Sequence, residues 1–288
     1  MQPIMDTSLW LAHKRRALTH PSEGVDFLMN RAAEDLADRL GAVERRFGKA
    51  AALFCQTSAA AQVLAASGKV ADFARVEADA AFLDGAPGLV TPFETMPFEP
   101  QGLDLVVSLL SLQAMNDIPG MLIQIRRALR PDGLFLGAFA GAGTLGELRE
   151  SLLAAETELY GGASPRVTPF TDVRDAGALL QRAGFALPVA DVETLTVRYA
   201  NLFALMADLR AMGETGALAD RSRRPGSRRL FARAAEIYAE RFSDPDGRIR
   251  ASFSMVWMSG WAPDASQQKP LKPGSAKVSL KTILEEGQ

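Results

Sequence analysis

The stretch LDLVVSLLSLQAMNDIPGMLIQIRRALRPDGLFLGAF, residues 103–139, constrains the fold more than any other part of the chain. Leu103–Leu109 is an apolar run with Gly102 before it and polar residues after it, the pattern of a strand buried on both faces. From Ile118 to Leu129 the residues Met121, Leu122, Ile125, Ala128 and Leu129 recur at three- and four-residue spacing, the period of a helix with one buried side. Pro119 falls in that helix's first turn, where a missing N–H costs little. Arg130-Pro131-Asp132-Gly133 stops the helix, because proline cannot continue it and glycine permits the turn. Leu134–Phe139 then returns as a second buried strand. Strand, helix and strand in this order argue for a parallel sheet with helices on both faces and right-handed crossovers. Any ligand crevice then lies at the carboxyl ends of the strands.

The alternation continues on either side. Phe27, Leu28, Ala32, Leu36, Leu40 and Val43 keep helical spacing between Asp26 and Arg46. Ala50–Cys55 reads as a short strand and Ala59–Ala66 as an Ala-rich helix, with Lys69–Ala74 and Gly88–Val90 as candidate second and third strands. Beyond Ala140 helices dominate: Thr144–Tyr160, Asp172–Ala183 ending at Gly184, Leu202–Met212 and Ser227–Phe242. Two strands, Ala190–Arg198 and Arg250–Trp261, complete the set. Residues 1–25 show mixed charge and little periodicity and read as an N-terminal extension to a domain over 26–262. Residues 263–288, rich in Lys, Pro, Gly and Ser, read as a peripheral tail.

Composition narrows the function classes. The chain has 288 residues, 48% hydrophobic and 23% charged, which suits one large globular domain. A net charge of −2 gives no footprint for nucleic acid. Cys55 is the single cysteine, so neither an intrachain disulfide nor a cysteine zinc site can form. His13 and His20 have no partner at metal-ligand spacing, so no metal site is expected. No apolar run reaches the roughly 20 residues that span a bilayer. The N-terminal charges follow the short apolar patch, the wrong order for a secretion signal. The expectation is a soluble cytoplasmic protein.

The segment 103–139, with Leu129-Arg130-Pro131-Asp132-Gly133 as its turn, resembles the fourth- and fifth-strand region of class I S-adenosylmethionine (SAM)-dependent methyltransferases. The residues that follow narrow the resemblance. GAGTLGELR (141–149), AETE (155–158), GGASPR (161–166), PFT (169–171), LLQRAGF (179–185) and LRAMGE (209–214) are similar, in order and spacing, to the methyltransferase-like arginine-hydroxylase family of respiratory complex I assembly factors. Malonyl-carrier-protein methyltransferases of biotin synthesis are more distantly similar. The resemblance implies an α/β, Rossmann-like seven-stranded methyltransferase sheet. A helical insertion, or lid, would follow strand five at about 141–183, with further inserted helices over 201–242. It also implies SAM at the ends of strands one, two and four, and a protein substrate or respiratory-complex subunit as partner.

The cofactor half departs from the family pattern. Where a first strand normally runs into a D-x-G-x-G-x-G loop, the chain reads Ala51-Ala52-Leu53-Phe54-Cys55-Gln56-Thr57-Ser58-Ala59-Ala60, with no glycine between Gly48 and Gly68. The acid that ends the second strand aligns with Arg75, with Glu77 two residues on. The acid near the third strand aligns with Pro92, with Glu94 as substitute. The family's His-Trp pair after strand four appears as Gln113-Ala114. Cofactor contacts are therefore expected among Cys55, Gln56, Thr57, Ser58, Arg75, Glu77, Glu94, Ser108 and Ser111. Substrate contacts are expected among Gln113, Asn116, Glu147, Arg149 and Arg166; no catalytic residue is singled out. Each has a plainer alternative. Cys55 after an apolar run is more often a small core residue. Asn116-Asp117 serves equally as a helix cap, and a charged helix face such as that of Glu147 and Arg149 is usually just solvated. Two functions stay open, a SAM-dependent enzyme and a catalytically inactive scaffold. A crevice filled by Phe54 and Gln56 would mark the scaffold.

Overall fold

The computed structural model describes residues 2–268 except 21, 23 and 224, so the tail beyond 268 lies outside the described residues. Its centre is a seven-stranded sheet in the order β3-β2-β1-β4-β5-β7-β6. The strands are β1 Phe47–Leu53, β2 Val70–Glu77, β3 Leu89–Val90, β4 Leu103–Leu109, β5 Leu129–Ala140, β6 Ala186–Tyr199 and β7 Ile249–Trp261. β1 pairs in parallel with β2 and β4, β2 with β3, and β4 with β5. β7 runs antiparallel between β5 and β6. β4 is buried at six of its seven residues, as its apolar run predicts. The exception, Asp104, accepts the Lys49 amide at 2.8 Å and Arg130 Nη1 at 3.0 Å, tying β1 and the start of β5 to β4.

Eight helices are described: α1 Thr7–Leu18, α2 Phe27–Ala42, α3 Ala59–Ala66, α4 Ile118–Ala128, α5 Gly146–Tyr160, α6 Val173–Arg182, α7 Leu202–Ala211 and α8 Arg228–Phe242. α2 and α3 bury Leu36, Leu40, Ala60 and Leu64 against one face of the sheet. α4 and α6 bury Met121, Leu122, Ile125, Leu179 and Leu180 against the other. Their ends follow the sequence signals. Asp117 accepts the Gly120 amide at 2.8 Å to start α4, and Asp172 accepts the Asp175 amide at 2.8 Å to start α6. After α6, Gly184 takes the left-handed conformation at φ +82°.

α5 and α6 follow β5, and α7 and α8 lie between β6 and β7. Leu148 and Leu152 of α5, Leu205 and Leu209 of α7 and Leu230 and Ile237 of α8 share a separate apolar cluster with Phe253 of β7. None of the described helices is long and apolar enough to cross a membrane.

The N-terminal stretch holds a helix that periodicity does not reveal. Asp6 accepts the Leu9 amide at 3.0 Å and opens α1. That helix buries a single residue, Trp10, so it has too small an apolar face to register as a pattern. Trp10 joins Met5, Ala114, Ala217 and Leu218 in a small cluster of its own.

Lys69 closes the C-terminal end of α2. Its Nζ donates to the carbonyls of Leu40 at 2.7 Å, Gly41 at 2.8 Å and Val43. These are the orphan acceptors of a helix end, and a cation there also suits the helix dipole. Lys69→Met should therefore lower unfolding free energy in urea titration by about 1–3 kcal/mol. Loss of under a few tenths would show that water satisfies those carbonyls equally well.

Candidate functional site

β1 ends at Leu53, and the chain then turns through a loop without glycine in which Phe54 has φ +53° and Gln56 φ +61°. Left-handed backbone costs a residue with a Cβ about 1–2 kcal/mol, so the surroundings must hold this loop in place. Two bonds do so. The Phe54 amide donates to Val76 O at 2.7 Å, and the Gln56 amide donates to Glu77 Oε1 at 2.9 Å. The loop thus keeps the backbone shape that glycines usually supply, with side chains in place of bare backbone.

Glu77 is the last residue of β2 and is 1% exposed. Its position answers the alignment. The acid that ends the second strand is Glu77 itself, and Arg75 lies two residues inside. Arg75 donates from Nη1 to Leu83 O at 3.0 Å and from Nη2 to Phe82 O at 2.6 Å, so it ties the following turn to β2. Burial pushes the Glu77 carboxyl up to about 8, against the opposing pull of Arg75, whose Nη2 is 3.8 Å away, and of the Gln56 amide. Glu77 Oε2 is buried and has no hydrogen-bond partner.

A cavity of about 520 Å³ opens at the carboxyl ends of β1, β4 and β5. Gln56 and Thr57 of the β1 loop, Leu110, Gln113 and Ala114 after β4, and Ala140 and Thr144 at β5 line one end. Leu148 and Leu152 of α5, Leu209 of α7, Phe231 of α8 and Phe253 of β7 line the remainder. α1 and the start of α2 contribute Trp10, Lys14, Asp26 and Met29.

The sequence-derived candidates divide on this geometry. Gln56, Thr57, Gln113 and Arg166 line the cavity together. Gln113 donates to Leu110 O at 2.8 Å, while its Oε1 is buried without a partner. Arg166 is held by buried Glu156, whose Oε1 accepts its Nε at 2.9 Å and whose Oε2 accepts the Ser164 amide at 2.8 Å.

The others are placed elsewhere. Cys55 turns into the core beneath α2 and α3, where burial pushes its thiol far up and its Sγ lies 3.7 Å from Leu53 O. Ser58 is exposed and accepts Gln62 Nε2 at 3.1 Å. Ser108 and Ser111 are fully buried below the β4 loop and bond to each other at 3.1 Å. Glu94 uses both carboxylate oxygens on the amides of Asn116 at 2.9 Å and Asp117 at 3.1 Å, so it braces the β4 loop. Asn116 in turn accepts the amides of Ile4 at 2.8 Å and Met5 at 2.9 Å and fastens the N-terminal segment. Glu147 accepts Ser252 Oγ at 2.6 Å, joining α5 to β7, and Arg149 donates to Thr168 O at 3.0 Å. The sequence reading missed Trp10, Lys14 and Asp26, because residues 1–26 offered no pattern linking them to a crevice. Among the described residues no three His, Cys, Asp or Glu side chains gather as a metal set.

Residues 48–137 match the family described as a methyltransferase domain. Over 284 residues the chain is 38% identical to the human protein named arginine-hydroxylase NDUFAF5, mitochondrial, covering 96% of this chain and 82% of that one. The chain belongs to the NDUFAF5 family of methyltransferase-domain proteins. The Dictyostelium discoideum protein of the same name is 44% identical over 186 residues, 64% of this chain but 42% of its own length. Among solved structures, the YcgJ protein from Bacillus subtilis superposes with a TM-score of 0.56 at 13% identity, over 80% of this chain and 99% of that one, a likeness of fold.

The raised Glu77 pKa has a consequence for stability. The folded chain keeps that proton to about pH 8, whereas an unfolded chain releases it near the usual 4.5. The contribution is thus fully present below about pH 4.5 and is lost as pH rises through about 8. Urea midpoints of the ligand-free protein should fall over that window, and Glu77→Gln should flatten the fall. An identical slope in the variant would rule out Glu77 as its source.

Proposed function

We propose that the chain binds SAM at the carboxyl ends of β1, β2 and β4 and acts on an arginine side chain of a protein substrate. The observation that carries the cofactor half is a set of buried polar atoms without partners beside one end of the cavity. Gln56 and Gln113 line the cavity and leave Nε2 and Oε1 unpaired; Glu77, bonded to the Gln56 amide, leaves Oε2 unpaired. An unpaired buried polar group costs about 1–3 kcal/mol. Ribose hydroxyls and an amino-acid group carry the complementary donors and acceptors, so the residues fit the group. Glu77 would accept from ribose hydroxyls, and Gln56 and Gln113 would hold the remaining polar edges. SAM, when bound, supplies an electrophilic methyl group on a sulfonium.

A crevice filled by Phe54 and Gln56 would favour the scaffold alternative. Phe54 instead packs into the core, its ring 5.1 Å from that of Phe93, and the cavity stays open beside Gln56. The substrate half rests on the relatives named arginine hydroxylases. It also rests on Asp26, which lines the cavity while its carboxylate makes no cap bond to the helix it precedes. A carboxylate in that state is available to a guanidinium, which it can meet in bidentate fashion. The helices after β5 then act as cover, with Arg166 held over the cavity by Glu156.

A respiratory-complex subunit is the partner this reading favours. The compartment follows the composition, the cytoplasm, whereas the human relative's name places that protein in mitochondria.

Calorimetric titration with SAM and S-adenosylhomocysteine tests the cofactor half. Micromolar binding is expected; no heat up to millimolar ligand, from protein shown to be folded, would overturn it. For the substrate half, mass spectrometry of the partner should show a mass change on arginine. Asp26→Asn should raise KM for that arginine-bearing partner about five- to tenfold, the loss of one charge-assisted contact. An unchanged KM removes Asp26 from the site.

A further inference from the structure

The cofactor reading uses residues from the sheet edge, yet one wall of the same cavity comes from α1. Trp10 is 1% exposed and lines the cavity, and its indole Nε1 is buried with no hydrogen-bond partner. Buried tryptophans normally pair this N–H. The residue is not loosely placed. Its ring lies 5.1 Å from that of Phe93 at 34°, and Phe93 in turn meets Phe54 of the β1 loop at 5.1 Å. Ala114, after β4, packs in the same cluster and is small enough to leave room for the indole.

Several polar clasps hold the helix where it is. Asn116 fixes Ile4 and Met5 as described. Asp6 pairs with Arg221 at 3.2 Å, Lys14 with Glu214 at 2.6 Å, and Lys14 Nζ also donates to Met212 O at 3.0 Å. A bridge between Met5 and Leu218 completes the attachment. The donor is therefore carried on a fixed element, between the β1 loop and the β4 loop.

We propose that Trp10 is a cofactor-contact residue. Its indole N–H donates to an acceptor on the nucleoside part of the ligand, and its ring, backed by Phe93, forms an aromatic wall of the cavity. This assignment rests on the reading of the cavity as a SAM site. It deepens that reading by making α1 part of the site, alongside the sheet edge.

Trp10→Phe removes the donor and keeps a ring against Phe93, which makes it the informative variant. Calorimetry of full-length wild type and Trp10→Phe with S-adenosylhomocysteine should show about tenfold weaker binding by the variant, the scale of one lost hydrogen bond. Thermal unfolding of both in the absence of ligand checks that folding is retained. If the variant unfolds early, a second measurement decides. Wild-type protein labelled with 5-fluorotryptophan carries three tryptophans, Trp10, Trp257 and Trp261. Adding S-adenosylhomocysteine should move the Trp10 fluorine resonance, assigned by elimination with Trp257→Phe and Trp261→Phe, while those of Trp257 and Trp261 stay in place. Wild-type binding with an unmoved Trp10 resonance, or a folded variant that binds within twofold of wild type, overturns the assignment and leaves the cofactor reading standing. Wild-type protein that binds no S-adenosylhomocysteine up to millimolar overturns both.

Discussion

The Gln56 amide donates to Glu77 Oε1 across the carboxyl ends of β1 and β2, and the shape of the crevice depends on that bond. It fixes a left-handed residue where glycine would otherwise be needed, and it neutralises one lone pair of a carboxylate that has almost no access to water. Desolvation and hydrogen bonding pull against each other here. The backbone amides of the loop and a guanidinium nitrogen at 3.8 Å are too little to hold a charge at that depth, which is why the carboxyl is raised to about 8. Because the loop and the strand end brace each other, a change at either residue moves both. The floor of the cavity is accordingly a coupled unit, in which single substitutions are not expected to add.

Asn116 ties the N-terminal segment to the β4 loop. Glu94 holds the Asn116 and Asp117 amides, Asn116 holds Ile4 and Met5, and Asp6 then starts α1. These bonds run from the β4 loop to a helix more than a hundred residues earlier in the sequence. The N-terminal segment is thereby part of the walls of the cavity, although the sheet would be complete without it.

The alternation from Asp26 to Trp261 made most of the sheet and its helices legible, because burial on both faces leaves apolar runs and one-sided helices leave a period. β4 and α4 are the clearest cases; β5 starts at Leu129, not at the expected Leu134, because residues 130–133 form an irregularity inside the strand instead of a turn before it. α1 was not legible, since a helix that buries only Trp10 has no stripe to detect. The site was harder for a different reason. Arg75 and Glu77 lie on the same side of β2, so their spacing cannot say which one ends the strand; the bonds to Phe82 and Leu83 decide it. Glu94 and Asn116 had the right chemistry for a ligand and are spent on backbone amides instead. Partners more than twenty or a hundred residues away leave no trace in local spacing.

Left-handed backbone at Phe54 and Gln56, together with unpaired atoms on Gln56, Glu77, Gln113 and Trp10, bears on the choice between enzyme and scaffold. Each such feature costs on the order of 1–3 kcal/mol, against a total of about 5–15 kcal/mol for an ordinary domain. A protein that used its sheet only as a support could relieve the backbone strain by a simple replacement, a glycine at residue 56. Four of the six unpaired buried side-chain atoms among the described residues belong to Gln56, Glu77, Gln113 and Trp10, and three of those residues line the same cavity, which fits a site whose geometry is kept for a ligand. The departures from the usual glycine-rich loop therefore do not argue for loss of binding. The backbone shape that glycine would have allowed is still there, and the side chains added to it carry the polar atoms that a cofactor can satisfy.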